Sequence, residues 1–239
     1  MKLVFISDLH LSGKTPEHNK IFLNLMTKWQ NELDALYILG DFFDFWCGDD
    51  DDNQFIRTIK HSLKSFTQYK PIYFLGGNHD FGVGNKFAKE TGIKLIPDMT
   101  VLKVGVNNIL LSHGDTFCTL DISYQRLKLI LQNRTTKFIL RQVPLSWRYK
   151  IKDKLEHKSS EVFNAKPNET YHVVDDAVIK YASKHSANIV IHGHTHRPNL
   201  YQISTPNGII SRYEIPDWAD HKPGGYIILD NESIEIHRT

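Results

Sequence analysis

The sequence predicts an α/β sandwich carrying a helical insertion, and three observations predict it. Short apolar runs of strand composition alternate with stretches of helical periodicity. Five of those runs end at once in a small cluster of Asp, Asn, His and Gly. Between residues 120 and 170 the alternation stops. That span has no strand signal, apolar residues at helical spacing, and eleven Lys/Arg against five Asp/Glu. The expected organisation is therefore a core over 1–119 and 171–239, with a basic, partly apolar lid over 120–170.

In chain order, the run 3–7 is a first strand, followed by Asp8-Leu-His10. Residues 17–31 place Ile21, Phe22, Leu25 and Trp29 at helical spacing. A second buried strand, 35–39, runs into Gly40-Asp41-Phe-Phe-Asp44. The four aspartates 49–52 read as a solvated turn and helix start, since they lack the alternating ligand spacing of a calcium loop. A helix over 53–68 aligns Phe55, Ile56, Ile59, Leu63 and Phe66. A third strand, 72–75, ends in Gly76-Gly-Asn78-His79-Asp80. A short helix over 85–91 leads to weaker strands at 94–96 and 100–104, and the strand 108–112 ends in His113-Gly-Asp115.

The lid spaces Leu127, Ile130, Leu131, Phe138, Ile139, Val143, Trp147 and Ile151 helically. A helix over 173–184 returns to the strand 188–192, which ends in His192, His194 and His196 before Pro198 stops the segment. Strands at 200–204, 209–213, 226–229 and 234–236 are expected to form a second, antiparallel sheet region. In open α/β sheets such strand ends converge on one edge, where ligands bind.

Composition narrows the classes. With 239 residues, 41% hydrophobic and 23% charged, the chain is an ordinary globular protein of one large domain or one domain with an insertion. A net charge of +2 gives no reason to expect nucleic acid. Cys47 and Cys118 form no CxxC pattern, which suits a reducing compartment and excludes a disulfide scaffold or a zinc–thiolate site. The first apolar run is too short for a secretory signal, and no run approaches membrane-spanning length, so a cytosolic protein is expected.

Pooling the strand ends gives Asp8, His10, Asp41, Asn78, His113, His194 and His196. Two carboxylates, an amide oxygen and four imidazoles make an oxygen and nitrogen donor set suited to Mn²⁺, Fe²⁺ or Zn²⁺. Seven donors are too many for one catalytic ion with an open position. They suit two ions sharing a bridging carboxylate.

The clusters Asp8-x-His10, Gly40-Asp-x-x-Asp44, Gly77-Asn-His-Asp80, His113-Gly-Asp115 and Gly193-His-x-His196 resemble, in order and spacing, the five motifs of the calcineurin-like metallophosphoesterases. The resemblance implies an αββα sandwich. It implies Asp8, His10, Asp41 and His196 on one metal and Asp41, Asn78, His113 and His194 on the other, with Asp41 bridging. His192 matches no ligand position and is expected to be a hydrogen-bonded structural imidazole. His79 is expected either to donate to a phosphate or leaving-group oxygen or to bond a neighbouring loop. Asp44 and Asp80 are expected to orient ligand histidines.

A finer resemblance rests on Trp46-x-Gly-Asp-Asp50 and on Asp121-x-x-Tyr124 after His113-Gly-Asp-Thr116. Over nearly the whole chain these look like the UDP-2,3-diacylglucosamine diphosphatases of lipid A biosynthesis. That family implies hydrolysis of the pyrophosphate bond by water attack on the α-phosphorus, giving UMP and 2,3-diacylglucosamine 1-phosphate. It implies two Mn²⁺, with Fe²⁺ or Zn²⁺ as alternatives. The implied substrate contacts are Asn78, His79, Asp121, Tyr124, Ser159, Phe163, Asn164, Lys166 and His194. Acyl chains would lie in a groove of the lid. The protein would sit peripherally on the cytoplasmic face of the inner membrane, with no nucleic acid and no obligate protein partner. One position departs from the family: its arginine is replaced here by His79, which is shorter and only partly charged at neutral pH. That departure keeps a nucleotide or phosphodiester hydrolase of the same superfamily as the alternative.

Overall fold

A computed structural model describes residues 1–154, 168–218 and 224–238. Among them, β1 (Lys2–Ile6), β2 (Ala35–Leu39), β3 (Ile72–Leu75) and β4 (Lys94–Leu95) run parallel in one sheet. The helices α1 (Pro16–Trp29), α2 (Gln54–Thr67) and α3 (Asn85–Thr91) alternate with these strands. The second sheet holds β5 (Thr100–Val104), β6 (Asn107–Leu111), β7 (Ile189–His192), β8 (Leu200–Thr205) and β9 (Gly208–Glu214), in the order β5-β6-β7-β9-β8. β6, β7 and β9 are mutually parallel, which buries β7 in the middle of the sheet.

The period-two alternation of side chains along each strand explains the layering. Val4 and Ile6 of β1 face Phe22, Met26 and Trp29 of α1 and Ile59 and Leu63 of α2. Leu3 and Phe5 face the other way, into a core shared with Ile109, Leu111, Ile189 and Ile191 of the second sheet. The outer face of that sheet, through Leu110, Val190, Ile203 and Ile210, packs on Val178 and Ala182 of α7 (Asp175–Lys184). The result is helices, sheet, sheet, helix: an αββα sandwich.

Two expectations are corrected here. The last four strands do not make one antiparallel sheet. β8 and β9 extend the second sheet, whereas β10 (Gly225–Asp230) and β11 (Ser233–Arg238) return to the first, with β10 antiparallel to β1. The cluster-bearing strand ends therefore come from two facing sheets and meet between them, not along one sheet edge.

The aspartates 49–52 form the expected turn ahead of α2, with Asp50 and Asp52 exposed, but they are not free of partners. Asp49 accepts from the Trp46 indole N–H at 3.2 Å and from the backbone N–H groups of Gly84, Lys86 and Phe87 at the start of α3. Asp50 pairs with both terminal nitrogens of Arg148. Asp51 is buried and accepts from the Tyr149 hydroxyl at 2.5 Å. Asp52 pairs with exposed Arg57 and approaches the largely covered Lys60.

The lid is helical, as its spacing predicted. Its described part holds α4 (Ile122–Gln132), α5 (Arg134–Gln142) and a helical stretch, α6, over 145–154. α4 buries none of its side chains. Phe138 is 64% exposed and Trp147 63%, and Leu127, Ile130 and Ile139 are exposed with them.

Candidate metal centre

Each candidate ligand sits just past a strand end, and the local backbone is unusual there. Asp8, His10, Asp41, His194 and His196 all have positive φ, between 47° and 77°. Side chains other than glycine adopt this region at a cost, Asp and His less than most, and it concentrates at functional sites. Two glycines permit the close approach. A Cβ at Gly77 would lie 2.2 Å from Asp41 Oδ1, and one at Gly193 would lie 2.1 Å from Asp8 Oδ2. The backbone N–H of His79 accordingly donates to Asp41 Oδ1 at 2.9 Å, and that of His194 to Asp8 Oδ2 at 2.9 Å.

Two donor groups result. In one, ligand atoms of Asp8, His10 and His196 lie within 4.8 Å of one another. In the other, those of Asp41, His113 and His194 do. His10, Asp41 and His79 form a third group at the same spacing, bridging the first two. Asn78 joins the second through its Oδ1, 2.9 Å from His113 Nε2.

The hydrogen bonds test whether these residues fit a cation. His113 Nδ1 lies 2.9 Å from the Leu39 carbonyl, which can only accept, so Nδ1 holds the proton of the neutral ring. Its Nε2 faces Asn78 Oδ1, Asp41 Oδ2 at 3.5 Å and His194 Nδ1 at 3.2 Å. Oxygens that accept crowd this nitrogen, so either a proton on Nε2, which the raised basicity of the ring favours without an ion, or a cation holds the position. Asp8 Oδ1 and His10 Nε2 are buried with no hydrogen-bond partner, a state that costs about 1–3 kcal/mol per group. A divalent cation at these groups would satisfy these atoms, and the oxygen and nitrogen donors match a borderline-to-hard metal.

Without ions the charges compensate one another. Burial opposes the charge on Asp41, but His113 and His79 outweigh it and hold that carboxyl well below the usual range. Burial likewise opposes charge on His113, and Asp41 overrides it and raises the ring well above the ordinary value. His196 is pushed up to about 9: burial opposes this, and Asp8 and then Asp217 outweigh it. His194 falls to about 4 through burial and the neighbouring His113.

Other predicted residues fall as follows. His192 is fully buried. Its Nε2 accepts from Arg212 at 3.0 Å and its Nδ1 donates to the Gly193 carbonyl at 2.7 Å. His79 donates from Nδ1 to the Asp44 carbonyl at 2.5 Å and keeps Nε2 3.9 Å from Asp41 Oδ2, so it bonds a loop and faces the ligands at once. Burial lowers its basicity, but Asp41 and the Asp44 carbonyl leave it raised.

The carboxylates of Asp44 and Asp80 do not orient histidines, contrary to expectation. Asp80 accepts backbone N–H groups of Gly77, Asp41, Phe42 and Phe43, tying two ligand loops together. Asp44 reaches Lys152 of the lid at 3.7 Å. Asp121 caps α4, accepting from Tyr124 N–H at 3.0 Å and from Ser123 Oγ. Tyr124 donates its hydroxyl to buried Asp115 and stacks its ring on His194, with 6.2 Å between centroids. Ser159, Phe163, Asn164 and Lys166 lie outside the described residues.

Three residues near the centre carried no motif. Asp217 Oδ2 sits 3.6 Å from His196 Nδ1, on the side away from Asp8. Arg212 and Glu214 of β9 are both buried beside His192.

Comparison with known proteins agrees with the geometry. The family model of the calcineurin-like phosphoesterases matches residues 1–198. A UDP-2,3-diacylglucosamine hydrolase of Photobacterium profundum is 37% identical over 92% of this chain and 91% of its own length. One from Pseudomonas putida is 36% identical over 98% and 97%. Among solved structures, the phosphoesterase Yfce from E. coli superposes with a TM-score of 0.50 at 15% identity, over 99% of this chain and 92% of its own, a likeness of fold alone.

Proposed function

The chain belongs to the calcineurin-like phosphoesterase family, and on that premise we propose that it hydrolyses the pyrophosphate bond of UDP-2,3-diacylglucosamine to UMP and 2,3-diacylglucosamine 1-phosphate. The observation that carries the reading is the convergence of buried acceptors between two sheets in a chain that matches hydrolases of that substrate over almost its full length. The ligand sets are Asp8, His10, Asp41 and His196 for one ion and Asp41, Asn78, His113 and His194 for the other, with Mn²⁺ as the native metal. Bound there, divalent ions supply charge neutralisation at the phosphoryl oxygens and acidify water.

The chain's own residues do the rest. Asp41 and Asp8 are fixed by backbone N–H groups and offer their remaining oxygens to the centre. His79, held through Nδ1, turns Nε2 toward the ligand groups, where it donates a proton to a phosphate oxygen in place of the family's arginine. Tyr124 holds His194 by stacking. The lid over 120–170 takes the acyl chains, a role supported by the exposed Leu127, Ile130, Phe138 and Ile139. Lys150 over exposed Trp147, with the basic composition of the lid, suits an anionic lipid face, and the protein works peripherally at the inner membrane. No helix among the described residues is long and apolar enough to cross a membrane.

Incubation with UDP-2,3-diacylglucosamine and Mn²⁺ in ¹⁸O-water, read by phosphorus NMR, tests this. UMP bearing the label is the expected product. Label in the sugar phosphate overturns attack at the α-phosphorus, and absence of turnover overturns the substrate.

A further inference from the structure

We propose that Glu214 is a positioning residue that, braced by Arg212, clamps the turn 193–197 so that His194 and His196 face their separate ions. This rests on the ligand reading above and adds residues that no motif marks.

The parallel register of β7 and β9 sets His192 opposite Glu214. Glu214 Oε1 accepts from Thr195 Oγ1 at 2.5 Å and from the backbone N–H of Arg197 at 2.8 Å. Those two donors flank His196. The other oxygen faces Arg212 at 3.4 Å. The same Arg212 nitrogen donates to His192 Nε2, so His192 must carry its proton on Nδ1, and that proton binds the Gly193 carbonyl. The guanidinium itself lies over the Tyr201 ring, 3.7 Å from its centre. Gly193, Thr195 and Arg197, the residues alternating with the two ligands, are thus all tied to one buried network.

The need for such a clamp follows from the backbone. His194 and His196 hold φ of 77° and 56°, and left-handed residues persist only where the surroundings over-determine them. The backbone N–H of His194 is held by Asp8, which belongs to the other sheet. Among the described residues nothing comparable anchors the backbone of His196, and its side chain is 43% exposed. Glu214 is 1% exposed and lies in none of the candidate donor groups. A buried acid and base are costly to retain; here both carboxylate oxygens are engaged, while Arg212 Nε is left without a hydrogen-bond partner among the described residues.

Titration of the whole chain with Mn²⁺, followed by the EPR signal of free Mn²⁺, tests the clamp. The wild-type chain is expected to take up two ions. In Glu214→Gln an amide N–H₂ meets the Arg212 donors, and affinity for at least one ion is expected to fall about 10–100-fold, the usual cost of losing a residue that orients a ligand. Thr195→Val removes a single donor and is expected to weaken binding about five-fold. Thr195→Ser keeps the hydroxyl and restores it. Glu214→Gln and Thr195→Val chains that remain folded by near-UV circular dichroism and bind both ions within about two-fold of wild type overturn the clamp. If Glu214→Gln does not fold, Thr195→Val decides alone. A wild-type chain that binds no Mn²⁺ overturns the ligand reading and the clamp with it.

Discussion

Asp8 and Gly193 show how closely the centre is built. The Asp8 carboxylate lies where a side chain on residue 193 would begin, with Ser7 Oγ also 2.3 Å from that point. Gly193→Ala therefore displaces either the first-strand carboxylate or the turn that carries two candidate ligands. Misplacement by about 1 Å costs on the order of 10²-fold in rate. The expected outcome is a loss of kcat/KM of about that size, with a matching loss in Mn²⁺ uptake measured by equilibrium dialysis. At this scale the strand-end clusters were legible because the chemistry is local: acid, histidine and glycine within a few positions. Glu214 and Asp217 were not. Their partners lie about twenty residues away in a different loop, and a single acid at the end of an ordinary strand carries no signal of its own.

The link between the lid and the ligand loops is an acidic run in one loop meeting a basic helix. Arg148 of α6 donates to Asp50, to the Cys47 carbonyl at 2.6 Å and to the Val143 carbonyl at 2.8 Å, while Tyr149 and Lys152 reach Asp51 and Asp44. Asp44 in turn offers its carbonyl to His79. Arg148→Met strands two carbonyls and releases Asp50. It should lower stability by about 1–3 kcal/mol, seen as an earlier urea midpoint. Hydrogen exchange should accelerate in 145–154 and leave β1 and β2 unchanged. Equal acceleration in β1 would mean that the contact serves the core and not the lid. The helices themselves were readable from apolar spacing. Their attachment was not, because four consecutive aspartates look like a solvated run until partners ninety-eight residues distant are known.

For the molecule as a whole, sequence alternation gave the α/β layering but not the division of strands between sheets. A buried apolar strand is satisfied by any neighbour of matching pattern, so Ile189–His192 and Leu3–Ile6 read alike although they belong to facing sheets. The return of β10 to β1 was equally hidden. The division matters energetically. Under the proposed ligand sets each ion draws on both sheets, so metal bound only by the folded chain stabilises it by mass action. At a free concentration near 100 times Kd the gain is about 2.7 kcal/mol per ion. Chelation should lower the thermal midpoint, and added Mn²⁺ should restore it. A midpoint indifferent to chelator would contradict ions that join the two sheets.

The first passage from one sheet to the other is the short connection 96–99, between β4 and β5. A cut there leaves Asp8, His10, Asp41 and Asn78 on one piece and His113, His194 and His196 on the other. β10 and β1, an antiparallel pair, fall on opposite sides of the same cut. Each piece would carry an open strand edge complementary to its counterpart and only part of each proposed ligand set, so the chain is laid out as a two-part reporter whose signal, phosphoester cleavage, returns only on reunion.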